Sequence, residues 1–242
     1  MLVAVVDREG RGGTRTVKST FEEVEARLGA HGLRLRRPVS VEIASMAIMG
    51  ATKSKDDGHS LFVSSRAVQS GMLDGLLAHE MGHMLLTESG HPSHDPGVLV
   101  RLMREIDLPK AARGAFDQGY NHVQDVYADD LAFLVGLEDR AHAFFASWIL
   151  GNTGQRGRHR WTNVGLCVTN GFALGNLARH GLLPPDDELW EIARSFDREA
   201  GFRAVESFAR FYENLPPNPT SDSFVVRVRV LANLMQRTAD GG

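Results

Sequence analysis

Residues 76–86 read Leu76-Leu77-Ala78-His79-Glu80-Met81-Gly82-His83-Met84-Leu85-Leu86, a His-Glu-x-x-His pattern inside an apolar run. On an α-helix His79 and His83 stand one above the other on a single face. Two imidazoles so placed can bind one divalent metal from the same side and supply two corners of a tetrahedral zinc site. Glu80 lies about 100° further round the helix. It stands beside such a metal rather than on it, where a carboxylate can accept a proton from a water on the ion. With ten histidines in the chain, chance spacing is the competing explanation, and two features weigh against it. The flanking residues are apolar, so the polar groups would be buried and must have partners. Gly82 costs about 1 kcal/mol relative to Ala in a helix interior, which implies that another element approaches the helix closely there.

A catalytic zinc takes three protein ligands and keeps one position open. Leu86 stands three residues beyond His83 and Ser89 six, so the extended His-Glu-x-x-His-x-x-Gly-x-x-His arrangement is absent and the third ligand comes from elsewhere. In the stretch 121–130, Asn121, Asp125 and Asp129 recur every four residues and share one helix face. Phe116, Tyr120, Val123 and Tyr127 provide apolar surface beside it. Asp125 is the expected carboxylate ligand. Asp129, one turn on, is expected to accept the second ring proton of a metal-bound histidine and so fix its tautomer; Asn121 is the third polar neighbour on that face.

Other third ligands remain open: His122 on the adjacent face, and Glu88, His91, His94 or Asp95 in the loop after the motif. That loop group could also hold a second metal or a substrate. The preferred reading of Gly90-His91-Pro92-Ser93-His94-Asp95-Pro96 is a turn followed by a helix cap, with Asp95 ahead of Pro96 at the helix start. For the donor that would stabilise an oxyanion, the candidates are His122, Tyr127, His159 and His180.

The elements that must position these residues change character along the chain. An apolar strand over 2–6 ends in the Asp7–Gly13 loop, and Thr20 with Glu23 reads as a capping box opening a helix to about Leu28. Val39, Val41 and Ile43 alternate with polar or small residues in a second strand over 39–45. Residues 50–59 read as a polar turn, and 60–64 as a third strand hairpin-paired with the second. The motif helix is expected over 68–87, short helices over 97–106 and 109–115, and a longer helix over 116–135. Helices over 140–150, 163–179, 186–199, 202–213 and 221–237 follow, with starts marked by Asp186-Asp187-Glu188 and Thr220-Ser221-Asp222. Gly165, Gly171 and Gly175 predict close helix packing. Strands early and helices late argue for an α+β fold, a small mixed sheet packed on the motif helix and a mainly helical C-terminal half. The expected division is a metal-binding region over 1–137 and a helical region over 138–242 packed on it as one continuous domain.

Composition sets further bounds. A chain of 242 residues with 43% hydrophobic and 24% charged residues has enough apolar side chains for a sizeable core. A net charge of -3 gives no electrostatic case for nucleic acid or an acidic membrane as partner. The basic stretch Gln155–Trp161 is too small to carry nucleic-acid binding and reads as a solvated loop. Cys167 is the only cysteine, so no intramolecular disulfide can form and a reducing compartment is the natural setting. The first apolar run is too short for a signal peptide and no window reaches the length of a membrane span. A cytoplasmic protein is expected.

His79-Glu80-x-x-His83, followed by a carboxylate on a downstream helix, resembles the zincin metallopeptidases, in particular their thermolysin-like gluzincin branch. That branch carries Glu-x-x-x-Asp on its second helix, the Glu a zinc ligand and the Asp an orienter of the first histidine. The corresponding pair here is Asp125-x-x-x-Asp129. The resemblance therefore implies Asp125 as third ligand, with Asp129 behind His79, and a shorter arm that brings the second helix nearer the first. The chain is also similar to bacterial zincins that use Asp as third ligand. The likeness spans residues 60–135. It implies a zincin-like fold and a zinc cofactor held by His79, His83 and Asp125. It also implies hydrolysis of a peptide or protein substrate with Glu80 as general base. Two other functions fit the same residues. One is a non-enzymatic zinc-binding module whose helical half binds a protein partner, with His91 or His94 closing the site. The other is a metal hydrolase of a non-peptide amide.

Overall fold

A computed structural model describes residues 1–136 and 140–241. Strands β1 (Leu2–Asp7), β2 (Val39–Ala44), β3 (Gly50–Lys55) and β4 (Gly58–Ser64) form one sheet in the order β1-β2-β4-β3. β1 and β4 both run parallel to β2, and β3 runs antiparallel to β4, so the sheet is mixed. The alternation read in β2 is the burial pattern observed, with Val39, Val41 and Ile43 against the core.

Two strand expectations are corrected. Residues 50–55 are strand rather than turn, and only Asp56 and Asp57 make the bend. Lys53 and Lys55 are exposed, as the polar residues of an edge strand are, and that polarity is what reads as a loop in one dimension. The 60–64 segment is not hairpin-paired with β2. Its hairpin partner is β3, and β4 lies inside the sheet between β2 and β3.

Helix α1 (Thr14–Ala30) begins six residues before the expected capping box. Thr20 is mid-helix, its hydroxyl donating to Thr16 O at 2.9 Å. The entry is organised by Asp7, whose carboxylate accepts N–H bonds from Glu9, Gly10, Gly12 and Gly13. Val17, Phe21, Val24 and Leu28 recur on one face of α1 and are buried against the sheet and the motif helix; each contributes roughly 1.5–3 kcal/mol of burial. The expected helix over 68–87 is two helices, α2 (Ser65–Gln69) and α3 (Leu73–Ser89), separated at Gly71. At the end of α3, Gly90 adopts φ 68°, and Gly90 N–H and His91 N–H return to Thr87 O and Leu86 O. This Schellman closure needs a residue that tolerates the left-handed region, and it folds the next residues back along the helix as a 3-10 turn over Pro92–His94.

The remaining helices are α4 (Pro96–Glu105), α5 (Arg113–Leu134), α6 (Ala141–Thr153), α7 (Arg160–Arg179), α8 (Glu188–Ala200), α9 (Val205–Glu213) and α10 (Ser221–Asp240). The chain divides into two compact units, Met1–His94 with Tyr127–Glu138, and Asp95–Val126 with Asp139–Gly242. α5 is one uninterrupted helix whose C-terminal turns belong to the first unit. The expected boundary at 137/138 lies outside the described residues. Within the second unit, α7 is buried along its length and meets α9 so closely that a Cβ at Gly171 or Gly175 would run into Phe208 or the Ala209 backbone. The fold is α+β, a small mixed N-terminal sheet with a mostly helical remainder. Among the described residues, no helix is long and apolar enough to cross a membrane.

Candidate metal centre

The close approach implied by Gly82 is made by α5. A Cβ added at Gly82 would stand 2.7 Å from Ala128 O and 3.0 Å from Ala128 Cα. Backbone rests on backbone here, which sets Asp129, the next residue of α5, opposite the histidines of α3. Asp129 Oδ1 lies 2.7 Å from His79 Nδ1. An ionised carboxylate only accepts, so His79 Nδ1 carries the hydrogen and, in the neutral ring, Nε2 carries the lone pair.

His83 is held from the other side, and the direction of each bond can be worked back from a backbone donor. Ser93 N–H donates to His91 Nδ1 at 3.3 Å, so that nitrogen has no hydrogen. The Ser93 hydroxyl, 2.7 Å from the same nitrogen, must therefore donate to it. With its one hydrogen committed, Ser93 Oγ accepts from His94 Nδ1 at 2.8 Å. When the His94 ring is neutral, its Nε2 is unprotonated and accepts from His83 Nδ1 at 2.7 Å. In that state a neutral His83 has, like a neutral His79, its lone pair on Nε2. The two Nε2 atoms are 3.0 Å apart. At that distance a proton on either ring joins the two nitrogens by a hydrogen bond, and with both nitrogens unprotonated the two lone pairs are close enough to be offered to one cation.

Asp125 stands one turn before Asp129 on α5. One ligand atom from each of His79, His83 and Asp125 lies within 4.8 Å of the others. Two imidazole nitrogens and a carboxylate oxygen are donors that suit zinc, and three protein ligands leave one coordination position. His83 and His79 are half-buried and neither ring is free to turn, because both distal nitrogens are bonded. The residues present fit a bound metal.

Glu80 is buried and its Oε2 accepts a 2.7 Å bond from the Thr52 hydroxyl on β3. His122 donates from Nδ1 to Asp125 Oδ2 at 3.2 Å, is bonded at Nε2 to Thr169 Oγ1, and stacks on Phe172 with ring centroids 4.2 Å apart. It braces Asp125. Tyr127 is buried with its ring against His91, 4.5 Å between centroids. Asn121 is exposed. His159 and His180 sit at the two ends of α7 in the second unit.

The loop candidates have other tasks. Asp95 accepts from Gly97 N–H and caps α4, with Pro96 in its first turn. Glu88 accepts N–H bonds from Arg36 and Arg37 and lies 3.0 Å from His59 Nε2. Burial pushes its carboxyl up, but the His59 bond and the two amides outweigh that and hold it below its usual value. Thr52 and Ser93 are hydrogen-bonded neighbours of these residues that spacing does not disclose. Thr52 reaches Glu80 only through pairing of β3 with β4, and a serine two residues from a histidine carries no signal of its own.

A family model described as a family of unknown function (DUF5781) matches residues 25–232. The matched stretch includes both helices of the centre. No curated protein and no solved structure matches the chain.

Proposed function

From a chain that belongs to the DUF5781 family of unknown function, and so inherits no assigned activity, we propose a zinc-dependent peptidase with a zincin-like arrangement of sheet and helices. The observation that carries this reading is the convergence of His79 Nε2 and His83 Nε2, 3.0 Å apart, with a carboxylate oxygen of Asp125 in the same cluster of ligand atoms. His79, His83 and Asp125 would hold the ion, while Asp129, His94 and His122 hold the three ligands in place. Zinc in such a site supplies a water of pKa near 7 and polarises a carbonyl.

Glu80 is the general base. The Thr52 hydroxyl holds Oε2, and Oε1 takes the proton of the attacking water and passes it to the leaving amine nitrogen. An extended peptide has a place to pair: β3 is at the sheet edge and packs beside α3, and an edge strand offers main-chain donors and acceptors to a substrate backbone.

One observation favours the non-enzymatic reading, since Glu80 is only 5% exposed and one of its two carboxylate oxygens is already bonded. A closed structural site also needs a fourth protein ligand. His94 has both ring nitrogens bonded, to His83 and Ser93, which keeps it off the ion and supports the open site. The test is zinc content by elemental analysis together with cleavage of a mixed peptide library. One zinc per chain is expected, lost in His79→Ala and Asp125→Ala. Glu80→Gln should keep zinc and lose cleavage. Cleavage by that variant at the wild-type rate removes the mechanism, and zinc without cleavage of any peptide favours the structural module.

A further inference from the structure

We propose that His94 is a positioning residue for the metal centre, holding His83 in the Nδ1–H tautomer through a hydrogen-bond relay that starts at Ser93 and His91. The inference rests on the zinc-binding reading above and names what makes His83 a competent ligand.

Three observations carry it. First, the relay has a fixed direction. It begins at a backbone N–H, which can only donate, and with neutral rings each step that follows places one hydrogen, ending on His83 Nδ1. Second, the relay is built on a rigid base. The Gly90 closure returns the chain to the last turn of α3, His94 N–H donates to His91 O at 2.8 Å, and Ser93 is 1% exposed. Third, the two metal-facing histidines are braced by chemically different partners. His79 has a carboxylate, which accepts whatever its surroundings do; His83 has a neutral ring, which accepts only if its own far nitrogen is occupied by hydrogen. A lone histidine behind His83 could donate as readily as accept. Ser93 and His91 remove that freedom, so the 91–94 segment decides which nitrogen of His83 faces the ion.

The test combines zinc affinity, by competition with a chromogenic chelator, with nitrogen-15 NMR of the histidine rings in metal-free protein at pH 8. His94→Ala is expected to weaken zinc about 10- to 100-fold while still reaching one zinc per chain at saturation. His94→Gln, whose amide oxygen can accept from His83 Nδ1, should recover affinity to within about threefold of wild type. Metal-free wild type should show His83 protonated at Nδ1, and His94→Ala a mixture of tautomers. Wild-type affinity in His94→Ala, or His83 protonated at Nε2 in the wild type, overturns the proposal. So does a folded His94→Ala that binds no zinc at any concentration, which would make His94 a ligand. If the wild type takes up no zinc while His94→Ala still scrambles the His83 tautomer, the peptidase reading falls and the positioning of His83 stands.

Discussion

Replacing Gly82 with alanine sets helix propensity against tertiary packing at one atom. In an isolated helix the change stabilises by about 1 kcal/mol. Here the new methyl would meet Ala128 O at 2.7 Å and Ala128 Cα at 3.0 Å. Carbon and oxygen sit comfortably at about 3.3 Å or more, so α5 must withdraw from α3 by about 0.6 Å, and the obstacle is backbone that no rotamer change can move aside. The same withdrawal stretches the 2.7 Å His79–Asp129 bond to about 3.3 Å, beyond the range of a good charge-assisted bond. Overpacking costs about 1–3 kcal/mol and loss of the charged bond about 1.5–3 kcal/mol. After the helix-propensity gain is subtracted, Gly82→Ala should be less stable by about 1.5–5 kcal/mol in urea unfolding, and should bind zinc about 10- to 100-fold more weakly in chelator competition. A variant that is about 1 kcal/mol more stable than wild type, with unchanged zinc affinity, would refute the claim that this backbone contact sets the distance between the two helices.

Two further outcomes follow from the neighbouring contacts. Thr52→Val keeps the side-chain shape but removes the 2.7 Å bond to Glu80; zinc content and KM should be unchanged while kcat falls about tenfold, the equivalent of roughly 1.5 kcal/mol, and a wild-type kcat would mean that Glu80 is oriented by something else. Glu88→Gln should destabilise by about 2–4 kcal/mol at pH 7, since one carboxylate oxygen becomes an N–H donor facing backbone donors. The folded carboxyl lies below its ordinary value of 4.5, so its contribution is present above that pH and is lost as pH falls through the lower folded value. The gap between wild type and variant in pH-dependent unfolding should narrow on acidification, and a gap that widens would contradict the assignment.

The sequence by itself determined whatever depends on neighbours within a helical turn or two. The spacing of His79, Glu80 and His83, the common face of Asp125 and Asp129, and the caps at Asp95, Asp187 and Thr220 are all local. Gly82 announced a close approach, and Gly171 and Gly175 announced another, because a glycine in a helix interior has a cost that something must offset. Tertiary structure decided the rest. Thr52 lies in a stretch too polar to read as a strand, and it becomes one because β4 offers its backbone a ladder. Asp7, not Thr20, organises the entry to α1, through a loop whose amides turn inward only once the strand is placed. His94 looked like a candidate ligand, but the turn after Gly90 puts its Nε2 against the far nitrogen of His83, and that makes it a brace. Periodicity along a chain reports which face a side chain occupies. Which distant group meets that face is settled only when every buried donor and acceptor in the folded chain has found its partner.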